Sequence, residues 1–218
     1  NSPSNPTGAI YSRAELAVLA EVLVRHQVAV LSDEIYEKLL YDGMEHVSIG
    51  SLGEAIFDLT LVCNGFSKAY AATGWRLGYA AGPEHVIKAA IDIQSHTTSG
   101  ATTFAQYGAI AALEGPQDEV EAMRSEFERR RDVLFAGMSA LPGLACTKPG
   151  GAFYLFPNIS ATGLSSMDFS QRLLEEFHVA IVPGSAFGAD GNVRFSYATS
   201  MATIEKGLER LRQFVGSL

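Results

Sequence analysis

The 218 residues are 47% hydrophobic and 18% charged, which is ample material for a buried core and too little charge for a disordered tail. A net charge of −8 with one basic run, Arg129-Arg130-Arg131, excludes nucleic acid as the main partner, because neutralising phosphates needs a basic face. No apolar run is long enough to span a bilayer as a helix, so no membrane partner is expected.

The chain opens Asn1-Ser2-Pro3, without an initiator methionine, and runs straight into a loop; it is expected to be a fragment whose upstream part is missing. Asn5-Pro6-Thr7-Gly8 reads as a tight turn. Ser12-Arg13-Ala14-Glu15 fits a capping box, and Leu16, Leu19, Ala20 and Leu23 recur at helical spacing, predicting a helix to about His26. The apolar runs at 28–31, 60–63 and 77–81 predict strands buried in one sheet. Pro83 is expected to open a helix carrying Val86, Ile87, Ala90 and Ile91 and ending near His96. After a hydroxyl-rich break at 97–103, Phe104, Gly108, Ala111, Ala112 and Leu113 predict a tightly packed helix to Glu114. A longer helix from Pro116 runs through Val120, Met123, Phe127, Val133, Leu134 and Phe135, with Arg129-Arg130-Arg131 on its solvated face. From Leu141 onward the pattern shortens. Strands are predicted at 152–156, 179–182 and 193–197, with helices at 167–178 and 203–215, the last burying Ile204, Leu208, Leu211 and Val215. The Gly150-Gly151 pair lacks any phosphate-loop spacing and reads as a turn. This predicts an α/β region at 1–115, a connecting helix at 116–140 and a small α+β domain at 141–218.

Asn64 to Tyr79 is the stretch with chemistry in it. Lys68 follows an apolar strand and sits among glycines, alanines and aromatics, which suggests a dry pocket where a lysine loses its proton readily and acts as a nucleophile or base. Asp33 lies just past the first strand, where open α/β sheets collect ligand groups, and the three strands deliver Asp33, Lys68 and Arg76 to one edge. Arg194 interrupts an apolar strand; it either points outward or is paired, and its planar fork suits a carboxylate. His26, His46, His85, His96 and His178 show no metal-ligand spacing, so no metal is expected, and helix ends or loops account for them. Cys63 and Cys146 form no CxxC pair, so reduced, buried thiols in a cytoplasmic protein are expected.

Asn5-Pro6-Thr7-Gly8, Asp33-Glu34-Ile35-Tyr36, Ser67-Lys68 with Arg76 eight residues on, and Val193-Arg194-Phe195-Ser196-Tyr197 occur in an order that resembles the fold-type I, class I/II aminotransferases. The bacterial aspartate aminotransferase subgroup is the most similar. The resemblance implies a remnant of the large domain with a mostly parallel sheet, plus the small α+β domain, and a pyridoxal 5'-phosphate cofactor. Lys68 would bind the cofactor aldehyde and carry the substrate proton. Asp33 would hold the proton on the pyridine nitrogen, Tyr36 and Asn5 would bond the 3'-oxygen, and Arg76 would bind the phosphate. Arg194, with Asn5 beside the substrate, would clamp the α-carboxylate. Gly65 stands where many relatives have a phosphate-binding serine, leaving Ser67 to supply a hydroxyl there. The implied reaction is transamination between an L-amino acid and a 2-oxo acid, aspartate and 2-oxoglutarate first, by a homodimer when full length, with the fragment alone inactive. Aromatic or alanine-type transamination, a β-lyase, and a non-catalytic domain of a transcription regulator are the alternatives.

Overall fold

A computed structural model describes residues 1–218, which divide into two compact units: 1–3 with 10–122, and 4–9 with 123–218.

The first unit begins with α1 (Arg13–His26). The capping box forms as its spacing predicts: the Ser12 hydroxyl accepts from the Glu15 amide, and the Glu15 carboxylate accepts from the Ser12 amide at 2.8 Å. Leu16 and Ala20 pack with Ile49 and Ile56, with Leu23 and Val30 at the margin. Leu19, expected on this stripe, is 40% exposed. It lies next to the buried Ala20, and a step of about 100° per residue carries it round to the solvent side. Strands β1 (Val30–Asp33) and β2 (Thr60–Gly65) pair in parallel with Asp33 beside Cys63, and β3 (Gly78–Ala81) pairs antiparallel to β2 with Gly78 beside Gly65. A short 3-10 turn at Ile49–Leu52 and a helical turn, α2 (Glu54–Phe57), lead into β2, and a second turn, α3 (Phe66–Ala69), leaves it. Neither of these short turns carries a periodicity that the sequence alone would reveal.

Helices α4 (Glu84–Thr97) and α5 (Thr103–Glu114) complete this unit, with Pro83 acting as the N-cap of α4 rather than lying in its first turn. They depart from expectation in packing. No residue of α4 is buried, and in α5 only Ala105 is. The small residues of α5 do serve one close contact: a Cβ on Gly108 would collide with the Trp75 indole, whose ring also meets Phe104 edge-on at 6.1 Å.

The unit boundary falls within α6 (Asp118–Ser139). In the second unit, a three-stranded antiparallel sheet has the order β4 (Tyr154–Leu155), β6 (Val193–Ser196), β5 (Val182–Pro183). Helices α7 (Ser166–Phe177) and α8 (Met201–Gly216), each capped by a serine, close its core. Phe169, Leu173 and Phe214 are fully buried, and Phe169 meets Phe214 edge-on at 4.9 Å. Ile204, Leu208, Leu211 and Val215 of α8 face inward as their spacing predicts.

Arg131 is not on a solvated face: it is completely buried, donating from Nη1 to the Pro149 carbonyl at 3.1 Å and from Nε to Asp132 at 2.9 Å. Three consecutive helical residues span about 200°, wider than the solvent face here, and Arg131 falls on the inner side while Arg129 stays exposed beside Glu126. The Gly150-Gly151 turn also has a partner. Both of its amides donate to the Gly8 carbonyl at 3.0 Å, and Gly8, at φ +67°, leaves no room for a Cβ against Pro149. This docking is why residues 4–9 belong to the second unit.

Candidate active site

The expected site residues fall into two groups, one in each unit. In the first unit, strand polarity does the positioning. Asp33 ends β1 and Lys68 follows β2, whereas Arg76 precedes β3; because β3 runs antiparallel, all three emerge at the same end of the sheet. Gly65 and Gly78 pair at this end. A Cβ on Gly65 would come within 3.0 Å of the Gly78 Cα and of the Leu77 carbonyl, so the strands approach closely here.

The α3 turn is anchored by Phe66 and Ala69, both buried, so Ser67 and Lys68 between them are turned toward the rim and are half-buried. Lys68 is therefore less enclosed than the sequence suggested. Asp33 accepts a hydrogen bond at its Oδ1 from the Ile35 amide at 3.2 Å, and its carbonyl accepts from the Ser2 amide and the Asn1 side chain. Tyr36, three residues on, is buried. Arg76 is exposed and holds a left-handed backbone (φ 52°, ψ 45°), with Nη1 donating to the Thr73 carbonyl at 3.1 Å.

One group in this region is invisible in the sequence. Glu34, directly after Asp33, is buried at 4% exposure and accepts from the Ser32 hydroxyl at 2.9 Å, the Ser48 hydroxyl at 2.7 Å and His46 Nε2 at 2.8 Å. Burial works to raise the Glu34 carboxyl, but the bonds from His46, Ser48 and Ser32 more than offset it and hold it below its ordinary value. Glu37 joins this neighbourhood: its carboxylate, the Glu34 carboxylate and a His46 ring nitrogen lie within 4.8 Å of one another. His46 is thus an integrated partner rather than a bare loop histidine. No sequence spacing signals it, because the partners are brought together from the strand end and a loop twelve residues on.

The cysteines are free, and neither is fully enclosed. Burial, then the Asp33 charge, push the Cys63 thiol up, and burial alone pushes Cys146 up to about 11, so both stay protonated near neutrality.

In the second unit, Arg194 lies on β6 between buried Val193 and Phe195, on the opposite face. It is neither outward-pointing nor ion-paired. Its guanidinium sits over the Tyr154 ring at 4.5 Å and the Phe187 ring at 5.1 Å, and its Nη1 donates to Asn5 Oδ1 at 2.7 Å. Its Nε is buried with no acceptor. An arginine fixed by two rings and one amide, with a donor left over, is arranged for an anion.

The donor set fits pyridoxal 5'-phosphate group by group: a primary amine for the aldehyde, a carboxylate for the ring nitrogen, a phenol for the 3'-oxygen, and a hydroxyl and a guanidinium for the phosphate. Over residues 1–211 the sequence matches the family model for aminotransferase class I and II. The chain belongs to that family. It is 51% identical over 220 residues to an aspartate aminotransferase of Bacillus subtilis, with 99% of this chain and 56% of that protein covered. An aromatic-amino-acid aminotransferase of Thermococcus litoralis is 44% identical over 218 residues, with 98% and 55% covered. The solved structure of an aspartate aminotransferase from Rhizobium meliloti superposes with a TM-score of 0.95 at 44% identity, with 99% and 57% covered. The chain therefore spans little more than half the length of these class I and II aminotransferases.

Proposed function

We propose that this chain is the lysine-bearing part of a pyridoxal 5'-phosphate-dependent aminotransferase that moves an amino group between an L-amino acid, aspartate first, and a 2-oxo acid such as 2-oxoglutarate. The observation that carries the reading is the convergence of Asp33, Lys68 and Arg76 at one end of the first unit's sheet. The bound cofactor supplies an electron sink that makes the substrate Cα–H acidic. Lys68 would hold it through its amine and, once released, would take the proton from the substrate Cα at Nζ and deliver it to the cofactor; a positioned base of this kind contributes about 10²–10⁴ in rate. Asp33 keeps a proton on the ring nitrogen, a charge-assisted bond of roughly 1.5–3 kcal/mol. Tyr36 donates to the 3'-oxygen, joined there by Asn5. Arg76 and Ser67 hold the phosphate. Arg194 orients the substrate carboxylate, with Asn5 fixing one arm of its fork.

We further propose that the working protein includes an upstream half like that of its relatives, forms a homodimer, and is cytoplasmic, the last supported by two free thiols that stay protonated. No helix is long and apolar enough to cross a membrane. Aromatic donors are the second reading, favoured by the similarity to an enzyme named for them. Single-turnover half-reactions of the full-length, cofactor-loaded protein separate the two: aspartate and glutamate are expected to convert it, and conversion by phenylalanine but not by aspartate would move the assignment to the aromatic class.

A further inference from the structure

We infer that Glu34 and His46 are positioning residues for Asp33, holding its carboxylate at a fixed place and angle at the end of β1. The inference rests on the proposed role of Asp33 toward the ring nitrogen. Ser32, Asp33 and Glu34 alternate across the pleat, so Ser32 and Glu34 share the face opposite Asp33, as the 2.9 Å bond between their side chains shows. On that rear face the Glu34 carboxylate gathers Ser32 from its own strand and His46 and Ser48 from the loop that leads into Ile49, a member of the unit's core. The backbone closes the same knot from the front: the Glu34 amide donates to the Cys63 carbonyl at 2.9 Å, and the Ile35 amide bonds the Asp33 carboxylate. Asp33 is thereby bracketed by two residues that cannot turn without breaking buried bonds.

The atoms of His46 fit this duty. Its Nε2 faces the Glu34 carboxylate at 2.8 Å and donates to it, while Nδ1 is buried with no partner. Glu37, whose carboxylate lies in the same neighbourhood, and Asp33 are the other acidic groups nearby. Three donors on one buried carboxylate are more than stability of a short turn calls for, and they sit one residue from the group whose angle matters most.

The test is a pH titration of the visible absorbance of the cofactor-loaded, full-length protein, which reports protonation of the Lys68–cofactor link, run beside a thermal melt. His46→Leu removes the donor; His46→Gln restores one at nearly the same place. If Asp33 is loosened, the ring-nitrogen proton is held less firmly, its charge no longer opposes protonation of the link, and the midpoint moves upward by about one pH unit in His46→Leu, returning toward wild type in His46→Gln. Ser48→Ala, a milder change that serves if His46→Leu does not fold, is expected to shift it in the same direction by less. A lowered melting temperature with an unmoved midpoint in these variants would show a purely structural role and overturn the inference. A wild-type protein that takes up no cofactor would overturn the proposed function instead.

Discussion

In the second unit Phe169, Leu173 and Phe214 are fully buried, whereas in the first unit α4 has no buried residue and Phe104 and Tyr107 of α5 are 70% and 71% exposed. Both units draw on similar apolar sequence, so composition does not explain the contrast. What differs is the cover. α7 and α8 lie on the face of a three-stranded sheet and seal it, while β3 is exposed along its whole length. The residues of the proposed chemistry divide in the same way: Asp33, Lys68 and Arg76 belong to the open unit, and Arg194, the proposed carboxylate clamp, to the closed one.

The largest effect should follow loss of the amine on the open unit. Lys68→Ala in the full-length protein is expected to cut the single-turnover rate by at least about 10²–10⁴ without unfolding it; a rate within tenfold of wild type would move the chemistry elsewhere. Next comes the packing contrast itself. By thermal or denaturant unfolding, Phe214→Ala is expected to cost about 3–5 kcal/mol, and Phe104→Ala in the 218-residue chain about 0.5 kcal/mol or less. If Phe104→Ala costs several times more in a longer protein, the face of α5 is covered there, and the contrast belongs to this span alone.

A smaller effect tests the clamp. Arg194→Lys keeps the charge and loses the fork, so substrate KM should rise on the order of tenfold to a hundredfold while cofactor affinity holds; equal losses in both would count against its role. The smallest effect concerns acid. The carboxyl of Glu34 is held below its ordinary value in the fold, so its contribution to stability is present above the unfolded carboxylate range and lost as pH falls through the depressed value. Glu126 is also lowered, to about 2, by Arg129 and Arg130 hydrogen bonds, but at an exposed surface that salt screens. Added salt is therefore expected to flatten the acid limb of the melting curve only in the part that survives Glu34→Gln.

Much of this was legible as local pattern. The capping box at Ser12, the helix ending at Glu114 and the inward face of α8 depend on neighbours within a few positions, and the Lys68, Asp33 and Arg76 motifs are short strings with a fixed order. The remainder depends on contacts through space. Gly8 docking on Gly150 and Gly151, Arg131 reaching the Pro149 carbonyl, and Glu34 collecting His46 and Ser48 each join residues that no period connects. Of the strands expected at 152–156 and 179–182, only Tyr154 and Leu155 of the first and Val182 of the second pair with β6, Pro183 adding one residue beyond the expected end, and each partner takes half of β6. The open faces of α4 and α5 were illegible for a related reason: helical spacing shows which side is apolar, not whether anything lies against it.

The most direct check of the central claim is borohydride reduction of the full-length protein with pyridoxal 5'-phosphate, followed by peptide mapping. The label is expected on the peptide carrying Lys68 and to disappear in Lys68→Ala; a label on another lysine, or none at all, would contradict the assignment.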